Sequence, residues 1–280
     1  MKFLRYGAAG AEKPAILDND GRIRGLSAHI GDVTGAVFDD DTLSRLRDID
    51  ISALPLIDGD VRIGPCIGGV GKFICIGLNY SDHAEEAGLE IPAEPLIFMK
   101  ATSAICGPND DLEIPRGSTQ TDWEVELGVV IGRRAKYVPV AEALDCVGGY
   151  CVINDVSERD FQMNHCGQWV KGKSADTFGP TGPWLVTRDE VPDPQNLSLW
   201  LKVNGEYRQQ GSTARMAFTV AEIVSHLSHF MTLHPGDIIS TGTPPGVGMG
   251  MNPPQYLRPG DVVELGVEGL GTQRQKVVQG

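Results

Sequence analysis

The chain scatters 35 glycines and 18 prolines through 280 residues, about one position in five. No G-X-Y period runs through them, so a collagen-like rod is excluded. Turn-formers at this density interrupt long helices and favour short strands joined by loops. The expected fold class is therefore α+β, mostly β, with a mixed, largely antiparallel sheet. Hydrophobic residues make up 41% and charged residues 22%, which argues against disorder as the main state. The length suits one or two domains with a sizeable core.

A net charge of −13 repels phosphate backbones and anionic lipid surfaces, so neither nucleic acid nor a membrane is an expected partner. The six cysteines form no C-x-x-C and no zinc-ribbon spacing. The N-terminal Met1-Lys2-Phe3-Leu4-Arg5 lacks an apolar signal region, and no apolar run is long enough to span a bilayer. The expectation is a reduced, cytoplasmic protein, in which two N-x-S sequons occur by chance.

Residues 1–65 read as a small unit: strands at 2–7 and 14–17, a turn at Asn19-Asp20-Gly21, and a helix at 41–47 capped by Asp40 or Asp41. The main body, 69–280, carries strands at 73–77, 96–100, 123–131 and 150–156, and helices at 80–88 and 140–147. Asn204-Gly205 between strands 200–203 and 206–209 is a hairpin signal. Val220, Ile223, Val224, Leu227 and Met231 recur at helical spacing within 219–232.

Four groups of residues could carry chemistry. Glu124 and Glu126 stand two apart in the predicted strand, so both carboxylates face one side. They are either a solvated face or half of an oxygen-ligand site for a hard dication. Asp155 follows the apolar run 150–153, as a helix cap or as a third ligand. Three carboxylates with open positions would suit Mg²⁺ or Mn²⁺. His83 and Glu86 stand three apart on a predicted helix, as a surface pair or as an oriented general base, and Glu85 competes for the histidine. Lys173 lies in a Gly/Lys-rich loop, solvated or anion-binding. The Gly/Pro-dense segment 240–250 could offer backbone N–H groups and the Thr243 hydroxyl to an anion.

Three motifs fail. The segment 68–72 lacks the P-loop's outer glycine and its Ser/Thr. The glycines at 246, 248 and 250 precede no helix, and no G-x-S-x-G elbow is present.

Five motifs in order resemble the fumarylacetoacetate hydrolase family: Ile76-Gly77-Leu78-Asn79-Tyr80-Ser81-Asp82-His83, Asp122-Trp123-Glu124-Val125-Glu126-Leu127-Gly128, Asn154-Asp155-Val156-Ser157-Glu158-Arg159-Asp160, Lys173-Ser174 and Gly242-Thr243-Pro244. The resemblance implies a mixed β-roll catalytic domain over 69–280, a small N-terminal α/β domain over 1–65, and a homodimer or higher homo-oligomer. It implies Mg²⁺ or Mn²⁺ on Glu124, Glu126 and Asp155, and a catalytic His83–Glu86 pair. It also implies an active-site Lys173, with substrate contacts from Arg159, Gln162 and Thr243. The implied reaction is hydrolysis of the C3–C4 bond of a 2,4-dioxo acid. The group acting on 2,4-diketo-3-deoxy-L-rhamnonate or L-fuconate, which gives pyruvate and lactate, is the expected one. Ureidoglycolate lyase, fumarylpyruvate or acylpyruvate hydrolase and oxaloacetate decarboxylase are alternatives on the same metal site.

Overall fold

The computed structural model describes residues 1–82 and 91–280. In chain order the strands are β1 (Lys2–Tyr6), β2 (Lys13–Leu17), β3 (Ile23–Gly25), β4 (Phe73–Gly77), β5 (Leu96–Lys100), β6 (Ile105–Cys106), β7 (Leu112–Ile114), β8 (Thr121–Asp122), β9 (Val125–Ile131), β10 (Val147–Asn154), β11 (Ser157–Glu158), β12 (Gly179–Thr187), β13 (Ser198–Val203), β14 (Glu206–Ser212), β15 (Ile238–Ser240), β16 (Val262–Val267) and β17 (Gly271–Gln279). The α-helices are α1 (Asp40–Arg47), α2 (Val140–Ala143), α3 (Arg159–Met163), α4 (Val170–Lys173) and α5 (Val220–Phe230).

Among the described residues, the large sheet runs β3-β2-β1-β12-β10-β9-β15-β4-β5, and β6 pairs with β12. A second sheet runs β14-β13-β16-β17-β7. Most pairings are antiparallel; β15 with β4, β12 with β6 and β17 with β7 are parallel. The mostly β, mixed-sheet expectation is met.

β9 sits between β10 and β15, and all seven of its residues are buried. A strand covered on both faces reads as an unbroken apolar run, which 127–131 is. Glu126 is the charged interruption of that strand.

The N-terminal segment adds β1, β2 and β3 to the edge of the same sheet, because β1 pairs with β12. Its Phe3, Ile16 and Leu26 pack in one cluster with Phe73, Cys151 and Leu185 of the main body. Burying a side chain such as Phe3 contributes roughly 1.5–3 kcal/mol relative to leaving it in water.

The Asn204-Gly205 hairpin forms as expected, with both residues at positive φ (52° and 81°), as a two-residue primed turn requires. α5 also forms where its apolar spacing places it. Thr219 caps it: its hydroxyl accepts from Glu222 N at 3.3 Å while Glu222 accepts from Thr219 N at 2.8 Å.

Several expectations need correction. α1 starts at Asp40 with Asp39 as its cap, since the Asp39 carboxylate accepts from Asp41 N and Thr42 N. The helix expected at 140–147 stops early, and Val147 opens β10. β12 adds a strand to those expected from the sequence, and its Pro180 and Pro183 are residues that ordinarily argue against a central strand. Its register against β10 shifts between Tyr150 and Val152. There Gln273 Nε2 donates to Val152 O at 2.8 Å and to Gly182 O at 3.0 Å, so a side-chain amide supplies hydrogen bonds where the ladder is interrupted.

The six cysteines are free thiols. No helix among the described residues is long and apolar enough to cross a membrane.

Candidate active site

The predicted strand 123–131 is shorter than expected: β8 ends at Asp122 and β9 starts at Val125. Side-chain amides take the N–H groups of Glu124 and Val125 at the edge of the break. Glu124 N donates to Asn154 Oδ1 at 3.1 Å, and Val125 N donates to Gln209 Oε1 at 2.9 Å. Across the gap, Asp155 N donates to Glu124 O at 2.9 Å, just beyond the end of β10. Glu124, Glu126 and Asp155 therefore converge, with one carboxylate oxygen from each lying within 4.8 Å of the other two. All three are buried, at 5%, 2% and 0% exposure.

Among the described residues, three cations reach this cluster. Lys173 Nζ bridges two of its members, 2.7 Å from Glu124 Oε2 and 2.8 Å from Asp155 Oδ2. Lys100 Nζ pairs with Asp155 Oδ1 and donates to Val156 O at 2.9 Å. Arg159 donates from Nη2 to Glu124 Oε1 at 2.7 Å, from Nε to Asp122 Oδ2 at 2.8 Å and from Nη1 to Gln162 Oε1 at 3.1 Å. Lys173 was expected in a loop; it ends α4 and is 2% exposed, because its two carboxylate partners offset the cost of burial.

Glu126 is the exception. Among the described residues it makes no ion pair; it accepts from Ser240 Oγ at 2.5 Å and from Gly242 N at 2.8 Å, both at Oε2. Gly242 lies at φ +100°, and a Cβ there would sit 2.8 Å from Asn79 Cβ, so the close approach that points its N–H at Glu126 needs glycine.

The electrostatics follow from this inequality. Burial alone would raise the Glu124 pKa, but the Lys173 ammonium and the Arg159 guanidinium override it and hold the carboxyl at about 2. Burial also raises Glu126, the carboxylates of Asp155 and Glu124 push it further, and Lys173 only partly opposes them, so Glu126 sits well above the usual glutamate range. Burial works against the charge on Lys173, but Asp155 and Glu124 more than compensate, and the ammonium stays protonated.

These residues fit a hard dication. The donor set is all carboxylate oxygen, and burial and then like charge force up Glu126, the member with no ion pair among the described residues. One oxygen from each of the three lies within 4.8 Å of the others, close enough for all three to hold one ion.

Arg159, Gln162, Lys173 and Thr243 line one cavity with Glu124 and Glu126, a space of about 110 Å³ that suits a small organic molecule. The Thr243 hydroxyl donates to Val125 O at 2.9 Å and accepts from Gln209 Nε2 at 2.7 Å. His83 and Glu86 lie outside the described residues.

The family model for the fumarylacetoacetate (FAA) hydrolase C-terminal region matches residues 72–278. The chain belongs to the fumarylacetoacetate hydrolase family. A Burkholderia lata protein, named provisionally as a hydrolase with no substrate, is 63% identical over 98% of both chains. A fumarylacetoacetate hydrolase structure from Exiguobacterium antarcticum superposes with a TM-score of 0.87 at 35% identity, covering all of both chains. The 2-hydroxyhepta-2,4-diene-1,7-dioate isomerase of Mycobacterium marinum gives 0.77 at 34% identity, over 100% of this chain and 98% of that one. A Sphingobium sp. SYK-6 maleylpyruvate hydrolase structure, in complex with manganese(II) and pyruvate, gives 0.83 at 27% identity over all of both chains. Membership places the chain among enzymes of hydrolase or isomerase type that act on small molecules, and a divalent metal is consistent with the acidic triad.

Sequence reasoning missed several groups around the acidic cluster. Lys100 closes the apolar strand β5, where a lysine ordinarily reaches solvent. Asp122 accepts from Arg159 and from the backbone N–H groups of Trp123, Gly248 and Met249. Asn154 and Gln209 fix the Glu124–Val125 backbone, and isolated amides carry no spacing signal.

Proposed function

We propose that the chain hydrolyses the C3–C4 bond of a 2,4-dioxo acid, releasing pyruvate and the carboxylic acid formed from the distal half. The observation that carries this is the convergence of three buried carboxylates, one of which, Glu126, makes no ion pair among the described residues. The manganese and pyruvate reported with the Sphingobium enzyme support the choice of metal and product.

Glu124, Glu126 and Asp155 would hold Mg²⁺ or Mn²⁺. When bound, the ion supplies Lewis-acid polarisation at the 2-oxo acid end of the substrate. Lys173 stays protonated and adds a fixed positive charge beside the charge that develops as the pyruvate half departs. Arg159, Gln162 and Thr243 line the walls that orient the substrate. His83, oriented by Glu86, is the proposed base that takes a proton from water. The hydroxide adds at C4, the C3–C4 pair leaves on C3, and C3 takes a proton to become the methyl of pyruvate. One water is consumed per turnover. A homo-oligomer in the cytoplasm belongs to the same reading.

A second reading, favoured by the likeness to the Mycobacterium marinum isomerase, is isomerisation or decarboxylation on the same carboxylates. The test is a pyruvate assay over a panel of 2,4-dioxo acids that includes the L-rhamnonate and L-fuconate derivatives, run in ¹⁸O-water. Hydrolysis places solvent oxygen in the acid product. Turnover without ¹⁸O incorporation supports the second reading, and full turnover in excess EDTA overturns both.

A further inference from the structure

The cavity over the acidic cluster inverts the usual order of burial. Its charged lining is inside: Glu126 and Lys173 are 2% exposed and Arg159 is 4% exposed. Its apolar lining is outside: Met163 is 51% exposed and Met249 is 41% exposed, with Leu78, Phe98 and Trp169 half-buried. Apolar side chains held open to water around a polar floor mark a surface that something apolar covers.

Part of this rim is braced from below. Trp169 stacks edge-on against Phe98, with ring centroids 5.2 Å apart, and Phe98 lies under the Lys173 ammonium at 4.9 Å. Met249 N donates to Asp122 Oδ2 at 3.0 Å, on the same carboxylate that holds Arg159. Among the described residues the rim also lacks free counter-charge. Among the described lining residues the cations are Arg159 and Lys173, and both are taken up by carboxylates of the floor.

We propose that the substrate is a monocarboxylic 2,4-dioxo acid whose group beyond C4 is uncharged and apolar, seated against Leu78, Met163, Trp169 and Met249. This rests on the reading of the site as a 2,4-dioxo acid hydrolase and deepens it. The keto-acid end goes to the charged floor and the tail to the rim. A second carboxylate on the tail would be partly desolvated against thioether and indole surface, with no free cation among the described lining residues to pair with it, which is costly. A tail hydroxyl meets the same wall at smaller cost. This sets the chain apart from enzymes that act on dicarboxylates, such as a 1,7-dioate isomerase.

The experiment compares kcat/KM for three 2,4-dioxo acids of equal tail length ending in methyl, hydroxyl or carboxylate. The expected order is methyl, hydroxyl, carboxylate, with at least roughly tenfold between the first and last, the scale on which an apolar pocket discriminates. Met163→Arg, at an exposed position that tolerates a long side chain, narrows or reverses that ratio, mainly through KM. A carboxylate-ended acid equal to or better than the methyl-ended one in the unmodified enzyme overturns the proposal. So does a ratio that Met163→Arg leaves unchanged. If none of the three releases pyruvate, the hydrolase reading fails instead. The tail preference is then read from binding, as the tryptophan fluorescence change that Trp169→Phe removes. The same order of affinities supports the rim, and equal affinities overturn it.

Discussion

Gln209, on a strand of the smaller sheet, donates a 2.7 Å hydrogen bond to the hydroxyl of Thr243 and accepts one from Val125 N at 2.9 Å. One side chain thus clamps the peptide between Glu124 and Glu126 to the wall of the cavity. Gln209→Met should leave Val125 N buried without an acceptor and cost about 1–3 kcal/mol of stability. Loss of such outer support typically lowers metal affinity about 10–100-fold. Urea unfolding and Mn²⁺ titration check the two effects separately. Unchanged Mn²⁺ affinity in a folded variant would show that the clamp does not position the carboxylates.

Glu126→Gln separates stability from metal binding. In EDTA the variant should be at least as stable as the unmodified chain, because it replaces a carboxyl whose ionised form burial and two neighbouring carboxylates disfavour. With Mn²⁺ at 100-fold over its Kd, the unmodified chain should gain about 2.7 kcal/mol and the variant far less. Thermal melts with and without metal give both numbers. Equal metal stabilisation in the two proteins counts against the site.

Lys173→Met should be the most damaging single change to the metal-free chain. It leaves Glu124 and Asp155 buried with less compensating charge, and breaking a buried pair this way costs about 3–5 kcal/mol. Added Mn²⁺ should recover part of that loss, because the ion brings positive charge to the same oxygens. Circular dichroism melts in EDTA and in Mn²⁺ test this. A variant as stable as its parent in EDTA would contradict the arrangement.

The two glutamates predict opposite pH slopes. The Glu124 carboxyl is at about 2 in the folded chain, against an ordinary value of 4.5. Its contribution is full above 4.5 and is lost as pH falls from there toward 2. The Glu126 carboxyl is raised above 4.5, so the folded state keeps a proton that the unfolded chain has released. Its contribution is full below 4.5 and falls as pH rises through the folded value. From this pair alone, metal-free stability peaks near pH 4.5, and Mn²⁺ flattens the upper slope because metal binding favours the ionised carboxylate. Urea denaturation in EDTA from pH 3 to 8 measures it. An Asp18→Asn background removes the separate acid contribution of Asp18, whose carboxyl also lies at about 2.

His83→Ala distinguishes hydrolysis from the second reading. Removing a general base typically costs about 10²–10⁴-fold in rate. A hydrolase should lose that much in kcat with pyruvate as product, while Mn²⁺ affinity stays within about twofold because His83 is not a proposed ligand. An intact rate removes His83 from the chemistry.

The acidic cluster was legible in the sequence because carboxylates interrupting or ending apolar runs are conspicuous. The route to it was partly wrong. Glu124 and Glu126 were read as strand neighbours, whereas Glu124 lies outside the ladder and converges through the Asn154 and Gln209 amides. The cations were harder to read. Lys100 and Asp155 stand 55 positions apart, and Lys173 and Glu124 stand 49 apart. Nothing local distinguishes a lysine buried by such a partner from a solvated one. β12 was missed for a related reason, since the Gln273 amide that supports its proline-rich stretch comes from β17.

The pairing of β1 with β12 has an engineering consequence. Cutting the chain back to the 72–278 portion that the family model covers would strip β12 of its outer neighbour and uncover Leu185 and Cys151. The bared flank would be a ready template for intermolecular association. Such a truncate should precipitate on expression, and the leading segment therefore has to travel with the 72–278 portion in any minimised or transplanted version of the protein.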